Sequence, residues 1–215
     1  MATKLLLVRH GETESNKEGR LQGQSDSNLT DLGSSQARLL GKRLATWEIA
    51  ACYSSDLGRT LRTAEYVVAQ LELPIQKDAR LREQHFGDFQ GKTFSEIADV
   101  AEGDFQQYAA AVRGIGGADV KFPGGETQQM VFERSLEAVE EIAKAHPGDT
   151  VLVVCHGVVL TVLLKHFLGL PITAPRRFAI PNTALNMAER SADGDWEVQT
   201  LADTSHYEDH ARSHL

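Results

Sequence analysis

The sequence predicts an α/β protein in three layers, α/β/α, built on a mainly parallel central sheet with a small helical lid insertion. Three observations carry this expectation. Residues 5–8 and 150–155 are continuously apolar runs, the pattern of strands buried on both faces rather than the alternation of a half-solvated sheet. Segments with apolar residues at helical spacing separate the strand-like runs, as in sheets covered by helices on both sides. Residues 84–122 break the pattern: they are rich in Gly, Gln and acidic residues, with weak periodicity at Phe94 and Ile97 and at Phe105, Tyr108 and Val112. They read as an insertion carrying short helices, so the 215 residues are expected to form one domain, 1–215, with a lid at about 84–122.

The elements follow in order. After the first strand, residues 11–28 are polar and glycine-spotted and read as a long loop. Thr30 can cap a helix running to about Trp47, with Leu40, Leu44 and Trp47 along one face. Residues 49–53 form a second strand, and Ser54, Ser55 and Asp56 read as the cap of a second helix. There Thr60, Ala64, Val67, Val68 and Leu71 fall at helical spacing, and Pro74 follows its end. Beyond the lid, Gly124 and Gly125 precede a strong helix with Phe132, Leu136, Val139 and Ala143 on one face, stopped by His146, Pro147, Gly148 and Asp149. The strand at 150–155 leads into an apolar helix at 157–168, closed by Gly169 and Pro171. Residues 184–187 and 196–201 read as a hairpin around Asp193 and Gly194, and the tail from Ala202 is polar.

Composition narrows the function. Lys and Arg number 22 against 30 Asp and Glu, a net charge of −8, and 41% of residues are hydrophobic. That is ample material for a core. An acidic balance disfavours nucleic acid and anionic membranes, both of which reward basic surfaces. Two cysteines, Cys52 and Cys155, make neither a disulfide framework nor a four-ligand zinc site. The most apolar stretch, 158–164, is too short to span a bilayer, and the first residues lack a signal-peptide pattern. A reduced, cytoplasmic setting is expected, without nucleic-acid or membrane partners; a homodimer stays open.

In such sheets ligands bind at the carboxyl ends of strands. After the first strand come Arg9, His10, Gly11 and Glu12, then Asn16; after the second come Ser54 and Ser55, then Arg59; after the strand at 150–155 come His156 and Gly157. Two imidazoles and two guanidiniums converging on one edge repel one another unless an anion lies between them. Phosphate fits, because Arg presents forked donors to its oxygens. A neutral His is also a good nucleophile toward phosphorus once a hydrogen bond fixes its tautomer. A single His at a strand end is most often only a satisfied polar residue. Two of them, each after a buried strand and each before Gly, favour an anion site, with catalysis left open.

The run Leu7-Val8-Arg9-His10-Gly11-Glu12-Thr13, with Asn16 and Arg20, resembles the Arg-His-Gly motif of the histidine phosphatase superfamily, which includes the cofactor-dependent phosphoglycerate mutases. The resemblance continues in order along the chain. It takes in Gly23, Leu29-Thr30, Gly33 and Gln36-Ala37, then Tyr53-Ser54-Ser55-Asp56-Leu57 with Arg59, Thr63 and Ala64. Leu81-Arg82-Glu83, Phe86-Gly87, Pro123-Gly124-Gly125-Glu126, Val153-Val154-Cys155-His156-Gly157 and Asp203-Thr204-Ser205-His206 complete it. It implies a phosphoglycerate mutase-like fold in which His10 takes the phosphoryl group. Arg9, Arg59 and His156 would bind the phosphate oxygens, and Asn16 would add a neutral donor. Glu83 would protonate the leaving oxygen and then activate water. Gln22, Gly23 and Gly157 would line the phosphate pocket. The resemblance calls for no metal and no other cofactor.

Other readings compete at single residues. Glu83 could instead pair with Arg80 or Arg82, Arg62 reads as solvent-facing, and Cys155 as a small core residue. His85 follows Glu83 and could touch substrate. His206, His210 and His214 recur every four residues, so a helical tail could offer them to a metal, although little in the polar tail would hold a helix.

The family's mutases carry a longer insertion after the acid, with a Tyr and paired Arg for the substrate carboxylate. Here the basic residues of 84–122 besides His85 are Lys92, Arg113 and Lys121, and no Arg pair occurs. His85-Phe86-Gly87-Asp88-Phe89-Gln90-Gly91 resembles the phosphatase branch, which includes broad-specificity and alpha-ribazole-phosphate phosphatases. The expected activity is therefore metal-independent hydrolysis of a small phosphorylated metabolite. Mutase-type transfer is the alternative, and a non-catalytic phosphate-ligand sensor a third. Phe86, Phe89, Phe94, Phe105 and Tyr108 are expected to give the lid an apolar lining.

Overall fold

The structure, a computed structural model, describes residues 1–101, 103–114 and 117–207. Its six strands are β1 (Thr3–Arg9), β2 (Ala51–Ser54), β3 (Ile75–Lys77), β4 (Thr150–Cys155), β5 (Leu185–Arg190) and β6 (Trp196–Asp203), in the order β3-β2-β4-β1-β5-β6. The first four are parallel, while β5 and β6 add an antiparallel edge. The helices are α1 (Glu14–Lys17), α2 (Asp31–Leu44), α3 (Gly58–Val68), α4 (Phe94–Val100), α5 (Phe105–Arg113), α6 (Gln128–Ala145) and α7 (Gly157–Phe167).

The continuously apolar strands create two cores because successive side chains point to opposite faces. Leu5, Leu7, Val151, Val153 and Cys155 pack with Val139 and Ile142 of α6 and with Val159, Leu160 and Leu163 of α7. Leu6, Val8, Leu152 and Val154 pack with Leu40 and Leu44 of α2 and with Ala64 and Val67 of α3. The expected three-layer α/β/α fold is present. No helix among the described residues is long and apolar enough to cross a membrane.

Several local expectations change. The 11–28 loop contains the one-turn helix α1, with Thr13 and Asn16 forming a capping box. Thr30 caps α2 as expected, its side chain accepting from the Gly33 N–H, but the helix ends at Leu44 and Trp47 lies in the following turn. Ser54, Ser55 and Asp56 do not cap α3: its N-cap is Leu57, with no side-chain cap. β3 carries no strand pattern, since three residues with two exposed are too short to show one. The hairpin runs further than its apolar residues indicate, with a register shift between β5 and β6. The tail after Ala202 is not merely polar: Tyr207 is buried, and its hydroxyl donates to the Asn182 carbonyl at 2.9 Å.

Strand register brings the site together. β1 pairs with β4 so that Arg9 faces Cys155, and the His10 N–H donates to the Cys155 carbonyl at 3.0 Å. β2 pairs with β4 so that Ser54 faces Val154, and the Ser55 N–H donates to the Val154 carbonyl at 3.1 Å. His10, Ser55 and His156 therefore leave three adjacent strands at one level.

Candidate active site

A cavity of about 690 Å³ opens at this edge. Arg9, His10, Asn16, Gln22, Gly23, Arg59, Glu83 and Gly157 line it. His156 lies directly behind, fully buried, with its ring centroid 5.4 Å from that of His10. The structure thus gathers every residue that the sequence assigns to the phosphate.

His10 is 2% exposed. Its Nδ1 lies 2.8 Å from the Gly11 carbonyl, and because a carbonyl only accepts, Nδ1 carries the proton. The lone pair is then on Nε2. Burial first, then the charges of Arg59 and Arg9, hold this imidazole well below the usual histidine range, so it is neutral at neutral pH. The turn after it needs glycine: a Cβ on Gly11 would stand 2.6 Å from the Gly33 carbonyl oxygen at the start of α2. The Gly11 N–H donates to Thr63 Oγ1 of α3 at 2.9 Å, and Asn182 Nδ2 donates to the His10 carbonyl at 2.8 Å.

His156 is fixed in the opposite tautomer. Arg59 Nη2 lies 3.2 Å from its Nδ1, and a guanidinium only donates, so Nδ1 accepts and Nε2–H donates to Ser55 Oγ at 2.9 Å. Burial and the neighbouring Arg59 charge, followed by His10, Arg134 and Arg9, hold His156 well below the usual range as well. Ser55, which reads as a helix cap in sequence, is in fact the anchor of this histidine.

Arg59 is 1% exposed. Nη1 donates to the Ser25 carbonyl at 2.8 Å and Nη2 to the Gly23 carbonyl at 2.6 Å. Gly23 takes the φ of +56° that presents this carbonyl, where a Cβ would also strike the Gln90 side chain. Arg9 donates from Nη1 to the Ile180 carbonyl at 2.8 Å. The Nε of Arg9 and the Nε of Arg59 are buried donors with no protein partner among the described residues, and the Gln22 side-chain oxygen is likewise unpartnered. Burial lowers the pKa of both arginines, with the Glu83 charge opposing the shift, so each cation is held at a cost.

Glu83 reaches into this cluster. Its carboxylate accepts from the Val158 N–H at the start of α7 at 3.2 Å and from the Gln84 N–H at 3.0 Å. Arg80 pairs instead with Asp78 and Glu141, and Arg82 with Asp56, so neither neutralises Glu83. Arg134 of α6 holds the turn that presents it: Nη1 donates to the Arg80 and Arg82 carbonyls, both at 2.6 Å, and Nη2 to the Glu83 carbonyl at 3.0 Å. Asn16 spends its amide oxygen on the Thr13 N–H at 3.2 Å, which leaves its amide nitrogen as the donor at the cavity wall.

The other candidates separate from the site. His85 accepts from the Gly87 N–H at 3.0 Å and is not among the lining residues. Arg62 is exposed beside Glu65, and Cys155 is buried in the core with its thiol pKa pushed up by burial. His206 sits 3.4 Å from Thr183 Oγ1, while His210 and His214 lie outside the described residues. Of the five aromatics expected to line the lid, Phe86 and Phe94 do. Phe89 and Tyr108 meet each other and Phe122 instead, edge-on or tilted, and Phe105 packs edge-on against Phe94. Sequence reading missed Ser55 as an anchor, Asn182 and Arg176; the last two lie in the aperiodic 171–183 connection, where Asn182 and Thr183 before a strand are the only cue.

A basic pocket around a neutral imidazole with a free lone pair, flanked by a carboxylate, can bind a phosphoryl group and attack it. The family model of the histidine phosphatase superfamily (branch 1) matches residues 5–204. A probable phosphoglycerate mutase, GpmB, of Klebsiella pneumoniae is 36% identical over 216 residues, covering 99% of this chain and 98% of its own. Among solved structures, YhfR of Bacillus stearothermophilus superposes with a TM-score of 0.89 at 40% identity, covering 96% of this chain and all of that one. The mycobacterial glucosyl-3-phosphoglycerate phosphatase follows at 0.83 and 28%, covering 94% of this chain and 100% of its own. The chain belongs to the histidine phosphatase superfamily.

Proposed function

We propose that this protein is a phosphatase that hydrolyses small phosphate monoesters through a phosphohistidine at His10. The observation that carries this is the pairing of His10, locked with its proton on Nδ1, with two buried arginine Nε donors that no acceptor among the described residues satisfies. The ester phosphate takes those donors, and the Asn16 amide adds another. His10 Nε2 attacks phosphorus as the P–O ester bond breaks, and protonated Glu83 gives its proton to the leaving oxygen. Water then attacks phosphorus as the Nε2–P bond breaks, Glu83 takes a proton from it, and phosphate leaves with His10 neutral again. The charge needed at the transition state comes from Arg9 and Arg59, so the reading is metal-independent. His156 accepts from Arg59 through Nδ1 and so holds that guanidinium behind the phosphate. The substrate is a small phosphorylated metabolite, and an acidic cytoplasmic protein suits such a ligand.

Mutase-type transfer is the second reading, favoured by the relatives named as probable phosphoglycerate mutases. Supplying 3-phosphoglycerate with a bisphosphoglycerate primer, in the presence of a metal chelator, separates the two. Release of inorganic phosphate at a rate exceeding isomerisation supports the phosphatase. Fast formation of 2-phosphoglycerate with little free phosphate overturns it.

A further inference from the structure

Both peptide groups that flank His10 are held at both ends. On the amide side, the His10 N–H donates to the Cys155 carbonyl of β4 and the Gly11 N–H to Thr63 of α3. On the carbonyl side, Arg9 and His10 accept from consecutive residues just before β5: the Thr183 N–H at 3.0 Å and Asn182 Nδ2 at 2.8 Å. We infer that Asn182 is a positioning residue for His10 and that Tyr207, which holds Asn182, makes residues 203–207 a latch on the nucleophile turn. The inference rests on the reading of His10 as nucleophile and extends it to groups that act through it.

Asn182 lines the cavity, but its amide nitrogen is engaged. Besides donating to the His10 carbonyl, Nδ2 lies 3.5 Å from Asn16 Oδ1, so its N–H groups are directed at protein acceptors. One side chain thus ties the nucleophile to the neighbouring phosphate donor. That differs from Asn16, whose amide nitrogen is left to the cavity. The turn itself has a shape the chain does not take freely. Thr183 is β-branched, fully buried and at φ +54°, the left-handed region that favours glycine. Such a backbone persists only where its surroundings over-determine it. The tail supplies those surroundings. The Tyr207 hydroxyl donates at 2.9 Å to the Asn182 carbonyl, which belongs to the peptide joining Asn182 to Thr183, and His206 Nε2 lies 3.4 Å from Thr183 Oγ1. The tail is fixed in its turn. Arg43 of α2 pairs with Asp203, the Ser205 N–H donates to Asp203 Oδ1 at 2.9 Å, and the Tyr207 N–H donates to the Thr204 carbonyl at 3.0 Å. Tyr207 is buried, and its ring meets His206 edge-on at 4.7 Å between centroids. A chain of contacts therefore runs from α2 through residues 203–207 and the 182–183 turn to the His10 peptide. It gives a task to the Asp203–His206 segment, which the phosphoryl-transfer steps leave unused. The task has a large lever, because a misplacement of about 1 Å at a reacting atom can cost about 10²-fold in rate.

The test measures kcat on 4-nitrophenyl phosphate and, separately, the Kd of inorganic phosphate by calorimetry. Asn182→Ala should lower kcat by about 100-fold and Tyr207→Phe, which removes one oxygen, by about tenfold. The Kd for phosphate should change by less than about threefold in either, because Arg9 and Arg59 keep their places. The double variant should lose no more than Asn182→Ala alone, since the Tyr207 hydroxyl acts through that residue. Tyr207→Phe decides the matter by itself should Asn182→Ala fail to fold. Unchanged kcat in the variants, phosphate binding weakened as much as kcat, or losses that multiply in the double variant overturn the inference and leave the phosphatase reading standing. If the wild-type protein neither hydrolyses the ester nor takes phosphoryl label at His10, both readings fall.

Discussion

Two walls face each other across the cavity, and they are made in opposite ways. The sheet edge that carries His10, Ser55 and His156 is almost wholly buried, and its histidines have their tautomers settled by partners that can only accept or only donate. The wall from residues 84–122 and 171–183 offers Phe94, Val112, Arg113, Arg176 and Ile180, most of them partly exposed and with few side-chain partners. On the proposed mechanism the chemistry rests on strand register, which a change at one residue cannot slide. Selectivity would then rest on short helices and a connection, which tolerate change.

If that contrast holds, substitutions at the sheet edge should reduce turnover, and those at the facing wall should re-rank substrates. The largest expected effect is His10→Ala, which removes the nucleophile and should lower kcat by about 10⁴-fold or more while the melting temperature changes little. Ser55→Ala comes next. It leaves His156 Nε2–H buried without an acceptor, a stability cost of about 1–3 kcal/mol, and loosens the imidazole that seats Arg59, so kcat should fall by about tenfold or more. Ser55→Thr, which keeps the hydroxyl, should recover part of that loss, whereas a merely structural role for Ser55 would not be rescued in kcat. At the other wall, Phe94→Ala should alter KM by less than about tenfold and differently for different esters, with kcat little changed. A uniform collapse of kcat in Phe94→Ala would erase the distinction between the two walls.

The contrast extends to pH. His10 and His156 are held well below the ordinary value of 6.5, and His206 at about 4. In the unfolded chain each takes a proton near 6.5, but the folded protein refuses it. The stability these groups contribute is complete above that pH and is lost as pH falls below it, each steepening the fall by up to about 1.4 kcal/mol per unit. Thermal melts between pH 8 and 5 should show that decline. Inorganic phosphate at about 100 times its Kd should raise stability by about 2.7 kcal/mol near neutrality. A profile that is flat from pH 7 to 5 would contradict the buried neutral histidines.

Much of the sheet edge is legible in the sequence because its signals are local and strong. Continuous apolar runs mark doubly buried strands, and each histidine follows one directly with glycine after it. The function of Ser55 is not legible, because a serine between a strand and a helix reads as a cap, and only the pairing of β2 with β4 places it on His156. β3 is too short to show a period. Five aromatics of 84–122 read as lining, but an insertion needs a core of its own, and Phe89 and Tyr108 supply it with Phe122 through edge-on and tilted ring contacts. Arg176 and Asn182 lie in a connection without periodicity, so their arrival at the cavity is a property of the fold rather than of any pattern.

In the proposed mechanism His10 Nε2 carries the phosphoryl group. Rapid mixing with a ³²P-labelled monoester, a quench in alkali and mapping of the labelled peptide tests it directly. The expected result is transient label that survives alkali and is lost in acid, on the peptide containing His10, and absent in His10→Ala. Steady release of phosphate with no such label, or label on a peptide elsewhere in the chain, would contradict it.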